Sequence, residues 1–532
     1  MKKLMVSALL FLLCAAVACT ALAQSSSSDN GFAQTDEEII NAVLEHFKKL
    51  AAIPRPSKHE EKVSQYLLDY AKGKGFKAER DKSNNVIVDI PATPGLEKLP
   101  RTALQGHMDM VCVSDNKNYN PEKDPIEVIR EGNVIHANGT SLGADDGIGI
   151  SIILCVMDGL MPHGPIRAIF TTDEETSMNG AMTLDPSHLS DCACLINLDG
   201  EESGSVYLGC ASCNVLTLTS PVETKKPTGD QSMTLRISGL KGGHSATMID
   251  SDRLNAINVM IVLLHSLRNS GLKFELASFL GGAAFNSIPD SAECELVISA
   301  KDKEKYIPIL DKFEKAICTV YKDIDPDLKI SFTENKQLPA KVFTDDCFEK
   351  ITDCGDLLIH GVLVKDISSN NVETSANLGV INATSEGLKI MSSVRSISKV
   401  NRSKTIELQK MIADLNDFSC ELGTSTAIWE YAEKNPLRDL YCKAYEKQTG
   451  HLPKLQTTHG ALECAYFVEA APGLHVIAIG SDIDGAHSVK ETCHLDSIIT
   501  VWRALADTLL HIDECANTST ASNVQASSSD AA

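Results

Sequence analysis

Acidic and imidazole side chains gather in five short stretches of this 532-residue chain. His107-Met108-Asp109 follows the apolar run "TALQG", Asp173-Glu174-Glu175 follows "IRAIFTT", Leu198-Asp199-Gly200 follows "ACLIN", and Ser481 through His487 follows "LHVIAIG". Asp145 and Asp146 lie in "GTSLGADDGIGI", just ahead of a helical pattern. One such cluster reads as a solvated turn, but here that reading has to be invoked five times. Imidazole and carboxylate form the ligand set of zinc, and a site rich in carboxylates holds two divalent ions about 3.5–4 Å apart. Asp109 stands two residues beyond His107 on an extended segment, so both side chains point the same way and Asp109 can orient the imidazole. Asp145, in a glycine-flanked loop at a helix start, is placed to approach two cations. Glu174 and Glu175 diverge as neighbours must, and need different tasks.

These residues meet only if the runs before them are strands of one sheet, because open α/β sheets bind ligands beyond the carboxyl ends of their strands. "NVIVDI", "TALQGHMDMVC", "IRAIFTT" and "ACLINLD" read as strands, separated by helical stretches such as "GIGISIILCVMDGL". "DEEIINAVLEHFKKLAAI" and "HEEKVSQYLLDYAKGKG" predict two opening helices. The pattern predicts an α/β fold with a mixed, largely parallel sheet flanked by helices. From about Val215 to Trp429 alternating strands such as "NVLTLTS" and "KIMSSVRSIS" mix with amphipathic helices, which predicts an inserted α+β unit. The expected division is a signal over 1–23, a linker over 24–33, the α/β unit over 34–213 and 433–515, the insert over 214–432, and a tail over 516–532.

Lys and Arg number 49 against 71 Asp and Glu, a formal charge of −22 that repels phosphate backbones, so nucleic acid is not an expected partner. Lys2 and Lys3, an apolar run from Leu4 to Ala18, and Ala21-Leu22-Ala23 before Gln24 have the layout of a secretory signal. Export, periplasmic or secreted, is therefore expected, with a lipid anchor on Cys19 in "AVAC" as the poorer alternative. No later run has the 18 or so continuous apolar residues of a membrane span. The cysteines are mostly scattered singly and read as buried small hydrophobes.

"GHMDMV", "GADDGIG", "TTDEETSMNGA", "NLDGEESG", "GGHSA" and "GAHS", in this order, resemble the dinuclear zinc aminoacylase and carboxypeptidase superfamily, most closely its aminoacyl-histidine (Xaa-His, carnosine-splitting) dipeptidase branch. The resemblance covers nearly the whole folded body and implies a zinc-peptidase catalytic domain with an inserted lid and dimerisation domain. It implies two Zn²⁺, with Co²⁺ or Mn²⁺ as substitutes: His107 and Asp199 on one metal, Glu175 and His487 on the other, and Asp145 as the bridge. Glu174 becomes the general base that takes a proton from a metal-held water and passes it to the departing amine, with Asp109 beside it. His244 in "GGHSA" becomes the lid histidine that meets the oxyanion, in relatives often across a dimer interface, so a homodimer is expected. Arg395 in "MSSVRSIS" and Asn286 in "AFNSIPD" match positions that bind the substrate carboxylate. Relatives of this branch are commonly cytoplasmic, against the signal read above. The expected activity is dipeptide hydrolysis; tripeptide or N-acyl amino acid hydrolysis on the same site, and a non-catalytic peptide- or metal-binding role, stay open at this stage.

Overall fold

The computed structural model describes residues 34–366 and 370–515, and the signal, linker and tail readings fall outside these. The opening helix Asp36–Ala51 shows why the local sequence folds as it does. Thr35 and Glu38 form a reciprocal capping box, acidic residues fill the first turn and lysines the last, and Ile39, Ile40, Val43, Leu44, Phe47 and Leu50 form a buried face. That face packs on Ala144–Met157, a helix that is apolar all round and buried at every residue. This second helix lies in turn on the strand Thr102–His107.

The first sheet has eight strands in the order Lys77–Arg80, Val86–Ile90, Ile166–Thr171, Thr102–His107, Cys194–Asn197, His475–Ala478, Ser205–Cys210, Lys454–Thr458. Its four central strands, Ile166–Thr171 to His475–Ala478, all run parallel. Ile166–Thr171, Thr102–His107 and Cys194–Asn197 are buried at every position, as strands covered on both faces must be. Their common direction sends residues 107–109, 172–175, 198–200 and 479–487 to one rim. A small four-stranded sheet of Ile483–Asp484, Thr492–His494, Val134–Ala137 and Val128–Glu131 holds the last of these loops at its hairpin end.

The second sheet is antiparallel, in the order Lys329–Glu334, Gln231–Ser238, Ala292–Ile298, Glu275–Gly281, Val372–Thr384, Gly387–Ser396, Ser212–Ser220, Ser419–Ser425, with Gly361–Lys365 also on Val372–Thr384. Its two halves join at a narrow seam, Phe279 to Gly281 against Ala383 to Ile381. The helices Ala256–Asn269, Ile307–Val320, Asp345–Leu357 and Lys399–Leu415 contribute to its core, which is separate from the core of the first sheet. The chain passes between the sheets at Cys210 and Trp429, whose backbones exchange hydrogen bonds of 3.0 and 3.2 Å. Among the described residues no helix is long and apolar enough to cross a membrane.

Candidate metal centre

His107 ends its strand with the imidazole almost fully buried. Its Nε2 lies 2.8 Å from Asp145 Oδ1 and 3.1 Å from Asp199 Oδ1. The other oxygen of Asp145 lies 3.1 Å from His487 Nε2, which is also 2.9 Å from Glu175 Oε2. One carboxylate therefore stands between two imidazoles, and each imidazole meets one further carboxylate. The five residues expected to ligate metal are brought together from five loops.

Local backbone makes this possible. Asp145 and Asp146 depart from helical geometry at the start of Ala144–Met157. Asp146 turns inward, accepting from the His107 N–H at 3.2 Å and the Gly149 N–H at 3.2 Å. His487 adopts a left-handed conformation at the hairpin tip. Gly200 and Gly480 lie so close that a Cβ on Gly480 would come within 1.7 Å of the Gly200 carbonyl oxygen, which joins the end of Cys194–Asn197 to the start of the His487 loop.

Asp109 does more than its spacing suggests. It faces His107 Nδ1 at 3.6 Å, too long for a hydrogen bond, while its oxygens accept from the Glu174 N–H at 3.1 Å, the Glu175 N–H at 3.2 Å and the Ser57 hydroxyl at 2.7 Å. It thus fixes the turn on which the two glutamates diverge. Glu60 and Asp173 form a buried acidic group with Asp109, and Glu60 accepts from the Asp173 N–H at 2.9 Å. Sequence reading passed over Glu60, because a single glutamate at a helix start carries no signal.

The electrostatics are those of concentrated negative charge. Burial, with Glu175, Glu463 and Asp145 adding to it, pushes the Glu174 carboxyl well above its ordinary range. Burial does the same to Asp199. His487 is pushed up to about 11 by its hydrogen bonds to Asp145 and Glu175. Burial works against a charged His107, yet Asp199, Asp109 and Asp145 hold it well above the ordinary imidazole value. Among the described residues no lysine or arginine makes an ion pair with Asp145, Glu174, Glu175 or Asp199, and Glu175 Oε1 is buried without a hydrogen-bond partner. Buried carboxylates in this number need cations. The donor set and the unpartnered oxygen fit divalent metal.

A buried polar relay underlies the rim. Gln105 Nε2 and Thr171 Oγ1 each donate to Glu463 Oε2 at 2.6 Å, and Asn197 Nδ2 donates to Gln105 Oε1 at 2.7 Å. Asn197 Oδ1 accepts from the Asp199 N–H at 3.2 Å. Glu463, fully buried and pushed up to about 7 by burial, so ties together three of the strands that lead into the cluster.

His244 is exposed, with Nε2 3.4 Å from Asn286 Nδ2. Partial burial, then the charges of Arg395 and His487, hold it below the ordinary imidazole value. Arg395 is buried, donates to the His459 carbonyl at 3.5 Å and has no partner at Nε. His459 in turn meets the Ser375 hydroxyl at 2.7 Å.

An imidazole-carboxylate cluster lies on the carboxyl rim of a largely parallel sheet, and an α+β unit is inserted in the chain between the two parts of that sheet. Residues 103–511 match Peptidase family M20/M25/M40, and the chain belongs to that family. It is 31% identical over 477 residues to the cytosol non-specific dipeptidase of Escherichia coli, covering 88% of this chain and 96% of the relative. The crystal structure of aminoacylhistidine dipeptidase from Vibrio alginolyticus superposes with a TM-score of 0.78 at 29% identity, over 92% of this chain and 98% of that one. Aminopeptidase PepT from Bacillus cereus shares the fold at a TM-score of 0.51 and 13% identity.

The expectation of export is corrected by this comparison. The relative matched over nearly its full length is a cytosol enzyme, and the residues on which the export reading rested lie outside the described ones. A lysine pair before an apolar run is a weak signal beside that.

Proposed function

We propose that the protein hydrolyses Xaa-His and related dipeptides with two divalent cations, Zn²⁺ in the first place and Co²⁺ or Mn²⁺ as substitutes. The single observation that carries this reading is the Asp145 carboxylate, one oxygen facing His107 and the other His487. His107 and Asp199 would hold one cation, Glu175 and His487 the other, and Asp145 both. When bound, the pair supplies positive charge that polarises a carbonyl and acidifies water. Glu174, whose backbone is pinned by Asp109, takes the proton from the attacking water and returns it to the departing amine. Arg395 and Asn286 hold the substrate carboxylate, and His244 donates to the oxyanion as charge develops there. The similarity to an aminoacylhistidine dipeptidase supports the choice of substrate.

In this reading 34–213 with 433–515 form the catalytic domain and 214–432 the lid. A homodimer would form through the helix Lys399–Leu415, where Val400, Leu408, Met411 and Leu415 are exposed at helical spacing near Leu422 on the edge strand Ser419–Ser425.

A panel of β-alanyl-histidine, other dipeptides, a tripeptide and an N-acyl amino acid, each with and without chelator, tests the proposal. Dipeptides should be cleaved, cleavage should stop on chelation, and added Zn²⁺, Co²⁺ or Mn²⁺ should restore it. Turnover untouched by exhaustive chelation, or confined to the tripeptide or the N-acyl amino acid, would refute it. Glu174→Gln should lose on the order of 10²–10⁴-fold in kcat while its metal content stays at the wild-type level.

A further inference from the structure

Glu491 lies four residues beyond His487 and is almost fully buried, yet no lysine or arginine among the described residues makes an ion pair with it. Its carboxylate is occupied by backbone. Oε2 accepts from the N–H groups of Leu142 at 2.7 Å and Gly143 at 3.0 Å, and Oε1 accepts from those of Ala144 at 2.7 Å and Asp145 at 3.4 Å. Four consecutive amides at a helix start converge on one carboxylate supplied by a segment some 350 residues away, where helix N-termini ordinarily rely on a local cap. From the other side Arg55, also buried, donates to the Gly143 carbonyl at 2.5 Å and to the carbonyls of Met108 and Asp109 at 2.9 Å. The loop bearing Asp145 is therefore clamped between an anion and a cation, and neither clamp reaches the metal cluster with its own side chain.

The segment that carries Glu491 also carries His487, and the Glu491 N–H donates to the Ser488 carbonyl at 3.2 Å. Fixing His487 thus fixes the carboxylate that sets the backbone of Asp145, and Asp145 faces His107 on the other side. We infer that Glu491 is a positioning residue that couples the two cation sites, so that filling the His487 side prepares the shared Asp145 for the His107 side. The inference rests on the dinuclear reading proposed above. It adds that the second site is built by a backbone clamp rather than by its ligands alone.

The test is a Co²⁺ titration of the metal-free full chain, followed by calorimetry and by the visible absorption of the bound ion. Wild type should take up two equivalents in one phase. In Glu491→Gln the amide turns two donors toward backbone donors, so uptake should split into two phases, with the weaker one shifted by about 10–100-fold, the usual effect of losing a group that orients a ligand. Glu491→Gln titrating like wild type would overturn the coupling. Hydrogen exchange on the wild-type chain gives a measurement that needs no variant: loading should slow exchange at residues 142–145 and 487–491 together. Unchanged exchange at 142–145 on loading would also overturn it. A wild-type chain that takes up no divalent cation would instead sink the dinuclear reading itself, so the two failures are distinguishable.

Discussion

Adjacent glutamates at 174 and 175 face different surroundings because Asp109 holds both of their amides, and that turn sends Glu175 toward His487. The types and spacing of His107, Asp145, Glu175 and Asp199 were legible in the sequence, since each stands at a strand end or a helix start, whereas His487 lies in a loop well past its strand and was reached through the resemblance carried by "GAHS". Glu463 and Glu491 were not assignable, because each acts on residues hundreds of positions away: Glu463 on Gln105 and Thr171, Glu491 on residues 142–145. Glu463 makes a prediction about pH. Its folded value is raised to about 7 from an ordinary value near 4.5, so the folded chain favours the protonated form. That contribution is fully present below pH 4.5 and lost as pH rises through 7, a fall of about 3 kcal/mol. Denaturant unfolding of the metal-free protein at a series of pH values should show this fall, and Glu463→Gln should flatten it; equal slopes in the two proteins would mean the carboxyl is not held neutral. Arg395→Ala should raise KM for dipeptides by about 10–100-fold, the worth of a charged hydrogen bond, with a smaller change in kcat; steady-state kinetics decides.

At the scale of elements, hydrophobic periodicity located most strands and helices, because burial on one face or both leaves a readable pattern. Strand order was beyond it. Nothing in "HVIA" says that His475–Ala478 lies between Cys194–Asn197 and Ser205–Cys210, and that insertion is what carries the His487 loop to Asp145 and Glu175. The strands of the small sheet, two to four residues long, were equally hidden, being too short for any period to appear. The close approach of Gly200 and Gly480 makes the junction testable. Gly480→Ala places a methyl against backbone that cannot yield as a side chain would, so unfolding should occur with at least 1–3 kcal/mol less stability. Wild-type stability in that variant would mean the two segments are not held in contact.

For the whole molecule, separate cores for the two sheets and a double crossing at Cys210 and Trp429 were foreseeable in outline from the change of pattern near Val215. The seam within the second sheet was not, since pairing between Glu275–Gly281 and Val372–Thr384 spans only three residue pairs. His244 and Asn286 lie together on the insert, with His244 Nε2 3.4 Å from Asn286 Nδ2. Sedimentation should show a dimer, and Met411→Glu with Leu415→Glu should give monomer; a wild-type monomer would remove the assigned face.

Anomalous diffraction at the zinc edge from crystals of zinc-loaded protein tests the central claim most directly. The account requires two peaks, one between His107 and Asp199 and one between Glu175 and His487, with the Asp145 carboxylate touching both. A single peak, or peaks away from Asp145, would contradict it.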